Sequence, residues 1–458
     1  MTTSDDKLDF KKLLPIFVII LVDLLGLTII IPLMPLYATT FGGDAWTIGL
    51  LGATYPIAQF LGAPVLGRLS DRFGRRPVLL VSQIGTLAGF LLLGFANALW
   101  LLFLSRLIDG LSGANISTAQ AVITDNTTEK NRTQGLGLLG AAFGLGFVIG
   151  PIIAAVSLWA GADNYHIPAF IAAAFSLGSL VLTFFWLPES LPPERRGAKA
   201  AGSAFSLTRM VEALKHPQVG LLLVLIFAQQ VAFGGFEQLF SLFTLNRLGL
   251  NASGNAVLFV FIGVLVVAVQ GYFIGQWSRR FGDRRLVFAG LLALAIGLSL
   301  SALTPAQPAP WYDRAALTAE LSGQGAGHAN SAVTGNVPVV LPEDGDRGWL
   351  GLAWLMVALV PASIGGGILQ PALNSLITKR IEPDEVGGTL GISAALVSGA
   401  NAIAPLFGGA LFQTLGSTAP FLTGGLILIV LLLFAWRMVQ PGREETVGVG
   451  LARGGGAH

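Results

Sequence analysis

The stretch GRLSDRFGRRP at residues 67–77 decides the fold, because it recurs in part as GQWSRRFGDRR at residues 275–285. The two stretches lie 208 positions apart, and each directly follows a long apolar segment. A second pair, GPIIAA at 150–155 and APLFGG at 404–409, lies 254 positions apart. The repeats indicate two halves of similar architecture, and the 46 extra positions indicate an insertion within the second half.

The composition places these halves in a membrane. Of the 458 residues, 53% are hydrophobic and 11% are charged, whereas a soluble domain carries about 25% charge. A helix of about 20 apolar residues crosses the hydrocarbon layer. Twelve such segments predict twelve transmembrane helices, approximately at 13–37, 46–66, 78–97, 99–122, 134–160, 167–187, 218–246, 254–275, 286–304, 349–377, 386–413 and 416–438.

The positive charges predict the orientation. With the N-terminus inside, 23 of the 27 Lys and Arg residues fall in inner segments, which is the bias of the positive-inside rule. Residues 1–12 mix acidic and basic side chains and do not form a cleaved signal, so we expect the first helix to act as its own insertion signal. The prediction is an all-α membrane protein with two pseudo-symmetric six-helix bundles and both termini cytoplasmic.

The same segments predict the domain boundaries. Residues 1–187 form the N-terminal bundle, 188–217 a cytoplasmic linker, 218–438 the C-terminal bundle and 439–458 a cytoplasmic tail. The outer insertion at 305–348 separates predicted helices 9 and 10 and explains the change of offset. It has no hydrophobic period, so we expect it to be disordered over the outer face. A lid or a partner-binding segment is the alternative.

Several motifs resemble the major facilitator superfamily, and within it the twelve-helix drug/proton antiporter branch. The stretch at 67–77 matches the family's loop between helices 2 and 3, and Arg106 followed by Gly110 matches its fourth helix. The stretches DLLGLTIIIPLMPLY, which begins at Asp23, and FTLNRLG at 243–249 are similar to the tetracycline exporters. The resemblance implies a major facilitator fold in which helices 1, 4, 7 and 10 surround a central cavity.

The chain also departs from these patterns. Asp109 stands where the family usually has Gln or a small residue, and Arg279 stands where the second loop copy would have an acid. The tetracycline exporters carry acids in helices 3 and 9, at positions that hold Gly89 and Leu294 here. These last two differences argue against tetracycline itself as the substrate.

Four ionisable residues lie inside predicted spans: Asp23, Arg106, Asp109 and Glu237. Each costs at least about 2.5 kcal/mol in hydrocarbon, so each needs a partner or a function. We predict that Asp23 is the main proton carrier, and that Arg106, which shares a helix face with Asp109, is the group whose pairing it modulates. A static network that joins helices 1 and 4 is the alternative.

Glu237, on predicted helix 7, is a candidate second proton site or an attraction point for a cationic substrate; the alternative is a side chain that snorkels to the interface. Polar and aromatic side chains on the cavity helices and their neighbours could contact a substrate or could bridge helices. We predict the following substrate-cavity residues: Gln59, Asn115, Gln229, Gln230, Phe233, Gln370 and Asn374.

The loop at 67–77 is predicted to form a cytoplasmic gate. Orientation explains its arginines but not its acid, Asp71. The resemblance implies that Asp71 meets the N-terminal end of helix 11, and that Arg75 reaches Asp125, when the cavity faces outward. The predicted gating residues are Gly67, Asp71, Arg72, Gly74, Arg75, Arg76 and Asp125.

Predicted helix 5 has the spacing of the antiporter motif, with Gly137, Gly146, Gly150 and Pro151. Gly146 and Gly150 form a GxxxG surface that permits close approach, and Pro151 bends the helix. We expect this helix to form a close-packed, kinked interface between the two halves, which acts as a hinge and a seal; ordinary small-residue packing is the alternative.

The residues favour transport over catalysis. The chain has no Cys and four scattered His, and it lacks a nucleophile triad and a phosphate-binding Gly loop. We therefore expect no enzyme activity and no metal or other cofactor. The predicted function is proton-coupled efflux, by antiport, of amphipathic or drug-like molecules; the alternatives are an importer or lipid flippase on the same fold, or a non-transporting receptor.

The predicted partners are a small-molecule substrate, protons and the lipid bilayer, with no nucleic acid, and we expect the protein to be a monomer. The family resemblance and the short termini predict a multi-pass protein of the bacterial inner membrane.

Overall fold

The structure is a computed structural model that describes residues 10–113, 115–127, 132–161, 164–196, 207–216, 219–321, 340–381 and 386–439. Within these ranges all regular structure is helical. The α-helices are α1 Phe10–Ile30, α2 Met34–Thr40, α3 Ala45–Phe73, α4 Arg75–Gly94, α5 Leu99–Ser112, α6 Asn115–Asp125, α7 Arg132–Ala160, α8 His166–Trp186, α9 Leu207–Lys215, α10 Gly220–Leu248, α11 Ala252–Ala268, α12 Ile274–Phe281, α13 Asp283–Ala302, α14 Arg314–Leu321, α15 Leu350–Thr378, α16 Val386–Leu415 and α17 Ala419–Met438. A short 3-10 helix, Pro193–Arg195, follows α8.

Eleven helices within the described ranges are long and apolar enough to cross a membrane. They are α1, α3, α4, α7, α8, α10, the continuous helix from α11 to α12, α13, α15, α16 and α17. The predicted span at 99–122 is missing from this set because it consists of two shorter helices, α5 with 14 residues and α6 with 11. Twelve spans therefore remain a prediction, in which α5 and α6 together form one crossing.

The break between α5 and α6 lies at Gly113, and side chains of neighbouring helices bind the carbonyl groups that it frees. Gln59 Nε2 donates to Gly113 O at 2.9 Å, and the hydroxyl of Ser82 donates to Ser112 O. Non-helical backbone at membrane depth persists where protein groups satisfy it in this way. The break is thus stabilised by α3 and α4.

Two further predicted spans are irregular. The first separates into α1 and α2 at residues 31–33, and Pro35 lies at the start of α2, where its missing N–H costs little. The eighth contains a π-helix, Val269–Phe273, between α11 and α12. Such π-bulges often lie at functional sites.

The helix ends form two faces. The basic face contains the turns at Gly74 and Gly282 and the connections that follow α6 and α15; the insert face contains the opposite ends and the segment between α13 and α15. Exposed tryptophans lie near both faces: Trp46, Trp100, Trp159, Trp311, Trp349 and Trp354 near the insert face, and Trp186 and Trp436 near the basic face. Exposed Trp is typical of the interface between membrane and water.

The two halves pack closely near the insert face and separate toward the basic face. A Cβ added to Gly49 of α3 would lie 3.1 Å from Gly409 of α16 and would overlap Pro405. Gly67 lies 18 residues after Gly49 on α3, and Gly391 lies 18 residues before Gly409 on α16. Because 18 residues make about five turns, the two glycines of each helix lie on the same face. At both positions an added Cβ meets nothing within 4 Å. The pair α3–α16 therefore forms a V that opens toward the basic face.

The expectation of a disordered insertion is wrong for residues 305–321 and 340–348. Ala309 N donates to Leu248 O at 3.0 Å, and Tyr312 OH donates to Pro342 O at 2.8 Å. Leu317 and Leu321 of α14 are buried. They are four residues apart, so they share one helix face that can pack on the bundle.

This ordered part of the insertion touches both halves. Ala309 and Tyr312 contact the end of α10 in the second half, where Tyr312 packs over Gly249. On the other side, Tyr165 OH donates to Glu320 Oε1 at 3.1 Å, and Tyr165 stacks on Tyr37 of α2. We call residues 305–321 the strap. The strap crosses the insert face from the second half to the first.

Candidate functional site

The centre of the candidate site is a buried ion pair on α5. Arg106 Nη1 lies 3.1 Å from Asp109 Oδ2, and their side chains are 6% and 3% exposed. The guanidinium lies over the rings of Phe90 and Tyr55, at 5.5 and 6.0 Å from their centroids, an arrangement that cation–π attraction favours. Arg106 Nε and Nη2 have no hydrogen-bond acceptor among the described residues. The guanidinium can therefore accommodate another acceptor.

The structure brings Asp23 and Asp109 to one cavity, although they lie on α1 and α5. The cavity measures about 20 Å³, which is room for about one water molecule. Its lining residues are Asp23, Leu24, Leu27, Tyr55, Thr86, Phe90, Asp109 and Gly113. The residues that line this space in the first half therefore carry two carboxyl groups and two hydroxyl groups.

Close packing of α4 on α5 positions Asp109. A Cβ added to Gly89 would lie 2.9 Å from Asp109 Cβ and 3.0 Å from Ser105 O. Any side chain at position 89 would thus push α4 and α5 apart. The sequence showed Gly89 only as the absence of an acid, and its role in packing was missed.

Gln59 and Tyr55 form the α3 side of the same region. Gln59 Nε2 donates to Gly113 O at 2.9 Å and to Tyr55 OH at 3.2 Å. Gln59, predicted as a substrate contact, therefore also supports the break after α5. Asn115 begins α6, and its side chain lies outside the described residues.

Amide side chains form a ladder in the second half. Gln230 Nε2 donates to Asn401 Oδ1 at 2.8 Å, which joins α10 to α16. Gln229 Nε2 donates to Gln370 Oε1 of α15 at 3.5 Å and to Gln230 Oε1 at 3.3 Å. On α15, Asn374 Oδ1 accepts from Ser393 Oγ at 3.2 Å. The four predicted amides of the second half thus each have a protein partner, and Gln229 bonds to both Gln230 and Gln370.

Phe233 and Glu237 lie further along α10. The ring of Phe233 packs on Phe236, with centroids 5.8 Å apart, and against Gly366 of α15. Glu237 is half-buried, does not line the cavity of Asp23 and Asp109, and pairs with no described residue. One turn later Ser241 Oγ donates to Pro32 O at 2.8 Å. Glu237 therefore lies near the level at which the halves close.

The predicted gate contains a connected charge cluster. Arg75 Nη1 donates to Asp71 Oδ1 at 2.5 Å and to Ser70 Oγ at 2.8 Å, while Arg75 Nε donates to Asp125 Oδ2 at 3.1 Å. These contacts all lie within the first half. The side chain of Asp71 is 39% exposed. The first side chains of α16, which Asp71 was predicted to face, lie outside the described residues.

Glu189 is a gate residue that sequence reasoning missed. It follows α8, and its carboxylate accepts from Arg75 N at 2.9 Å and from Arg76 N at 3.3 Å. An acid at this position caps the first turn of α4. Gly74 has a φ of +110°, which favours glycine at the turn between α3 and α4. The only available signal was an acid at the start of the linker.

The other predicted arginines of the gate have local contacts. Arg76 donates to the carbonyl groups of Thr183 and Phe184 at the end of α8. The guanidinium of Arg72 lies 5.3 Å from the ring centroid of Phe73. Arg76 therefore anchors α4 to α8.

The structure corrects the expectation that Gly146 and Gly150 lie between the two halves. Both face Thr28 of α1, within the first half. The contact of α7 with the second half is made instead by Phe147, whose carbonyl lies 2.6 Å from a Cβ added to Gly263 of α11. The physical reason is that a GxxxG pattern marks a close contact without identifying the partner helix. Pro151 lies inside α7; Gly137 does too, but its surroundings lie outside the described residues.

The fold and the polar interior define a membrane transporter. The chain belongs to the Major Facilitator Superfamily, whose sequence model matches residues 16–345 and 348–452. The resemblance to this family is therefore confirmed.

Similar proteins agree with this placement. The class B tetracycline resistance protein of Escherichia coli is 29% identical over 392 residues, which are 85% of each chain. Multidrug resistance protein 2 of Bacillus subtilis (strain 168) is 27% identical over 425 residues, 91% of this chain and 93% of that one. The crystal structure of the human organic anion transporter MFSD10 (TETRAN) aligns with a TM-score of 0.64 at 22% identity, over 94% of this chain and all of that chain. The structural likeness shows the fold.

Proposed function

We propose that this protein is a secondary active transporter that exports amphipathic or drug-like small molecules in exchange for protons. The observation that supports the proposal most directly is the shared cavity of Asp23 and Asp109 beside Arg106. Carboxylates inside a membrane span are characteristic of proton relays in transporters. The names of the tetracycline and multidrug resistance relatives favour efflux of drug-like molecules.

Proton binding would act through the pairing of Arg106. An ionised Asp23 can attract the donor groups of Arg106 that have no acceptor here, and protonation removes this attraction. The balance between the Asp23 and Asp109 contacts of the guanidinium would then differ between the two protonation states. Asp23 lies on α1, and Arg106 and Asp109 lie on α5. A change in the contacts of Arg106 therefore changes the attraction between these two helices.

The amide ladder is the proposed substrate wall. Gln229, Gln230, Gln370 and Asn374 present donors and acceptors that a substrate with polar groups can engage in place of their protein partners. Phe233 supplies an adjacent apolar surface. Glu237 would attract a cationic substrate or act as a second proton site. An apolar pocket with a few polar groups is typical of small-molecule sites.

We further propose that the basic face is cytoplasmic and that α5 and α6 form the twelfth crossing. Both termini then lie in the cytoplasm of a bacterium, with the protein in the inner membrane as a monomer. The V between α3 and α16 opens toward the basic face, so this conformation would admit substrate from the cytoplasm. Export then requires closure of that face and opening of the insert face.

The test is a drug-susceptibility panel in bacteria that lack their own efflux pumps. We expect the wild-type protein to raise resistance to several amphipathic compounds, and Asp23→Asn to abolish the gain. Asp346→Asn, which neutralises an exposed acid at the insert face, is the matched control. In inverted vesicles the cytoplasmic face lies outside, so a fluorescent cationic dye added to the medium should accumulate inside them only with a proton gradient. Unchanged transport in Asp23→Asn would contradict proton coupling at this site.

The same panel separates the alternatives. Increased sensitivity to the compounds would indicate an importer. No flux of solute or of labelled lipid under a proton gradient, with the protein correctly inserted, would favour a receptor.

A further inference from the structure

The second half contains a charged cluster at the basic face that no prediction included. Asp283, at the start of α13, has a side chain that is only 1% exposed. It accepts from Lys379 Nζ at 2.6 Å, from Ser375 Oγ at 2.5 Å and from the hydroxyl of Ser278. Lys379 directly follows α15 and is 46% exposed. This cluster joins α12, α13 and α15.

The internal repeat relates this cluster to the gate of the first half. Ser278, Arg279 and Asp283 lie 208 positions after Ser70, Asp71 and Arg75. Lys379 lies 254 positions after Asp125, and 254 is the offset that applies beyond the insertion.

The serine is retained in the second copy, whereas all three charges are reversed. The Ser70 cluster, Asp71 with Arg75 and Asp125, has a formal net charge of −1, and the Ser278 cluster, Arg279 with Asp283 and Lys379, has +1. Each has a charged centre that bonds its serine and the distal residue.

The open V places the two clusters at the ends that must approach. Asp71 lies in the last turn of α3, and Lys379 begins the short connection from α15 to α16. Closure of the α3–α16 pair at the basic face would bring Gly67 toward Gly391 and the two clusters toward each other. Clusters of opposite net charge attract, and the attraction increases as water is excluded between them.

We propose that Lys379 is a gating residue, which leaves Asp283 and pairs with Asp71 when the basic face closes. The proposal depends on alternating access, which is part of the proposed function. Both groups have exposed surface in the open conformation, 46% for Lys379 and 39% for Asp71. A lysine suits the exchange because its ammonium has three donors on a flexible stem.

Each cluster can sustain the exchange. After Lys379 leaves, Asp283 keeps the hydroxyl groups of Ser278 and Ser375 as donors, so its carboxylate is not stranded. In the first half, Arg75 remains bound to Asp125 while Asp71 gains a second cation. The Lys379–Asp71 pair differs from the latch expected from the sequence, in which Asp71 meets only the N-terminal end of α16. The pair requires the charge of Lys379, whereas that latch does not.

The test measures closure of the basic face without a substrate. The chain has no native cysteine, so Gly391→Cys supplies a single thiol on the α16 face that looks toward α3. Purified protein in lipid nanodiscs is labelled with a membrane-impermeant maleimide, and the labelling rate reports the open fraction. We expect Asp71→Asn to raise this rate about two- to fivefold, which is the range for a partly exposed ion pair. Lys379→Gln removes the bond to Asp283 in the open conformation as well as the pair with Asp71 in the closed one, so its use is to show whether Asp71→Asn still raises the rate when the lysine is absent.

Three further variants make the result specific. The double variant Lys379→Gln/Asp71→Asn should label at the rate of Lys379→Gln alone, because Asp71→Asn has no lysine partner left to lose. Lys379→Arg should stay within the wild-type range because it keeps the charge. Arg285→Gln removes an exposed cation of the same face and is the matched control.

Loss of stability is tested separately. Lys379→Gln/Asp283→Asn removes the bond within the second half, and should label as Lys379→Gln alone if the effect is on gating. An unchanged rate with Asp71→Asn would overturn the proposal, as would a rate that Asp71→Asn raises equally in the presence and in the absence of Lys379. Labelling needs no transported solute, so failure of the efflux assay and failure of this exchange are distinguishable.

Discussion

Asp109 and Arg106 show how the membrane interior constrains single residues. Both side chains are nearly inaccessible, and each lowers the cost of burying the charge of the other. The pair also fixes the position of the cavity wall opposite Asp23. The coupling role proposed for Arg106 and Asp109 therefore falls on two side chains that are also buried together in the fold.

Removal of Arg106 tests the structural part of this role. Arg106→Gln leaves the carboxylate of Asp109 buried without its cation, and we expect a loss of about 3–5 kcal/mol in the free energy of unfolding. Arg106→Gln/Asp109→Asn should recover part of that loss, because no charge remains buried. Reversible unfolding in detergent micelles measures both, with Arg285→Gln as a surface control. Equal stability of wild type and Arg106→Gln would show that the pair contributes nothing to the fold.

At the scale of helices, glycine positions determine which helices can touch. Gly146 and Gly150 lie on one face of α7 and have the same neighbour, Thr28 of α1, at different distances. A Cβ at Gly146 would be 3.5 Å from its nearest atom, an ordinary contact, whereas one at Gly150 would overlap the Thr28 hydroxyl and approach its carbonyl carbon to 2.9 Å. Only Gly150 is required for close packing.

This difference predicts opposite outcomes for two similar variants. Gly150→Ala must push α7 away from α1, and we expect it to cost about 1–3 kcal/mol of stability. Gly146→Ala should change stability by less than about 0.5 kcal/mol, because the new methyl group fits. Thermal unfolding of both variants in one detergent provides the comparison. A larger effect at Gly146 would show that the contact with α1 is wrongly described.

The pair α3–α16 permits a second test at this scale, with opposite signs. Gly49→Ala wedges the two helices apart near the insert face, so it should favour closure of the basic face and slow maleimide labelling at Gly391→Cys. Gly67→Ala leaves the open V unchanged but adds a methyl group where the helices must meet, so it should speed labelling. A change of the same sign in both variants would argue against a V that rocks about its centre.

The strap concerns the whole molecule, because it connects the two halves across the insert face. If the halves separate there, either its bond to Tyr165 in the first half or its bond to Leu248 in the second half must lengthen or break. We therefore expect the strap to stabilise the conformation that is closed at the insert face. A long loop would not by itself hold the insert face closed. The strap can do so because Tyr312, Leu317 and Leu321 are buried.

Crosslinking tests the strap directly. A short cleavable bis-maleimide that joins Tyr165→Cys to Glu320→Cys should stop dye efflux, because the insert face can no longer open. Cleavage of the linker should restore efflux, and each single-cysteine variant treated alike is the control. Full activity of the crosslinked protein would show that the strap does not need to move.

Much of the architecture could be predicted from the sequence. The apolar segments, the repeat at 67–77 and 275–285, and Arg106 with Gly110 indicated the family that the chain belongs to. These features are local in the chain and depend on hydrophobic length and charge, which the membrane constrains strongly. The order of the long helices follows the same segments, and eleven of them are found.

Contacts between distant segments depended on three-dimensional packing. The sequence contained the ionisable residues of the spans, but it did not show that Asp23 and Asp109 line one cavity, or that Gly89 lets α4 pack closely on α5 beside Asp109. The partner of the α7 glycines, the break at Gly113 and the strap were not apparent, because each depends on which surfaces meet. Composition and periodicity specify that a surface must be covered or a charge paired; the shapes of the assembled helices select the group that does so.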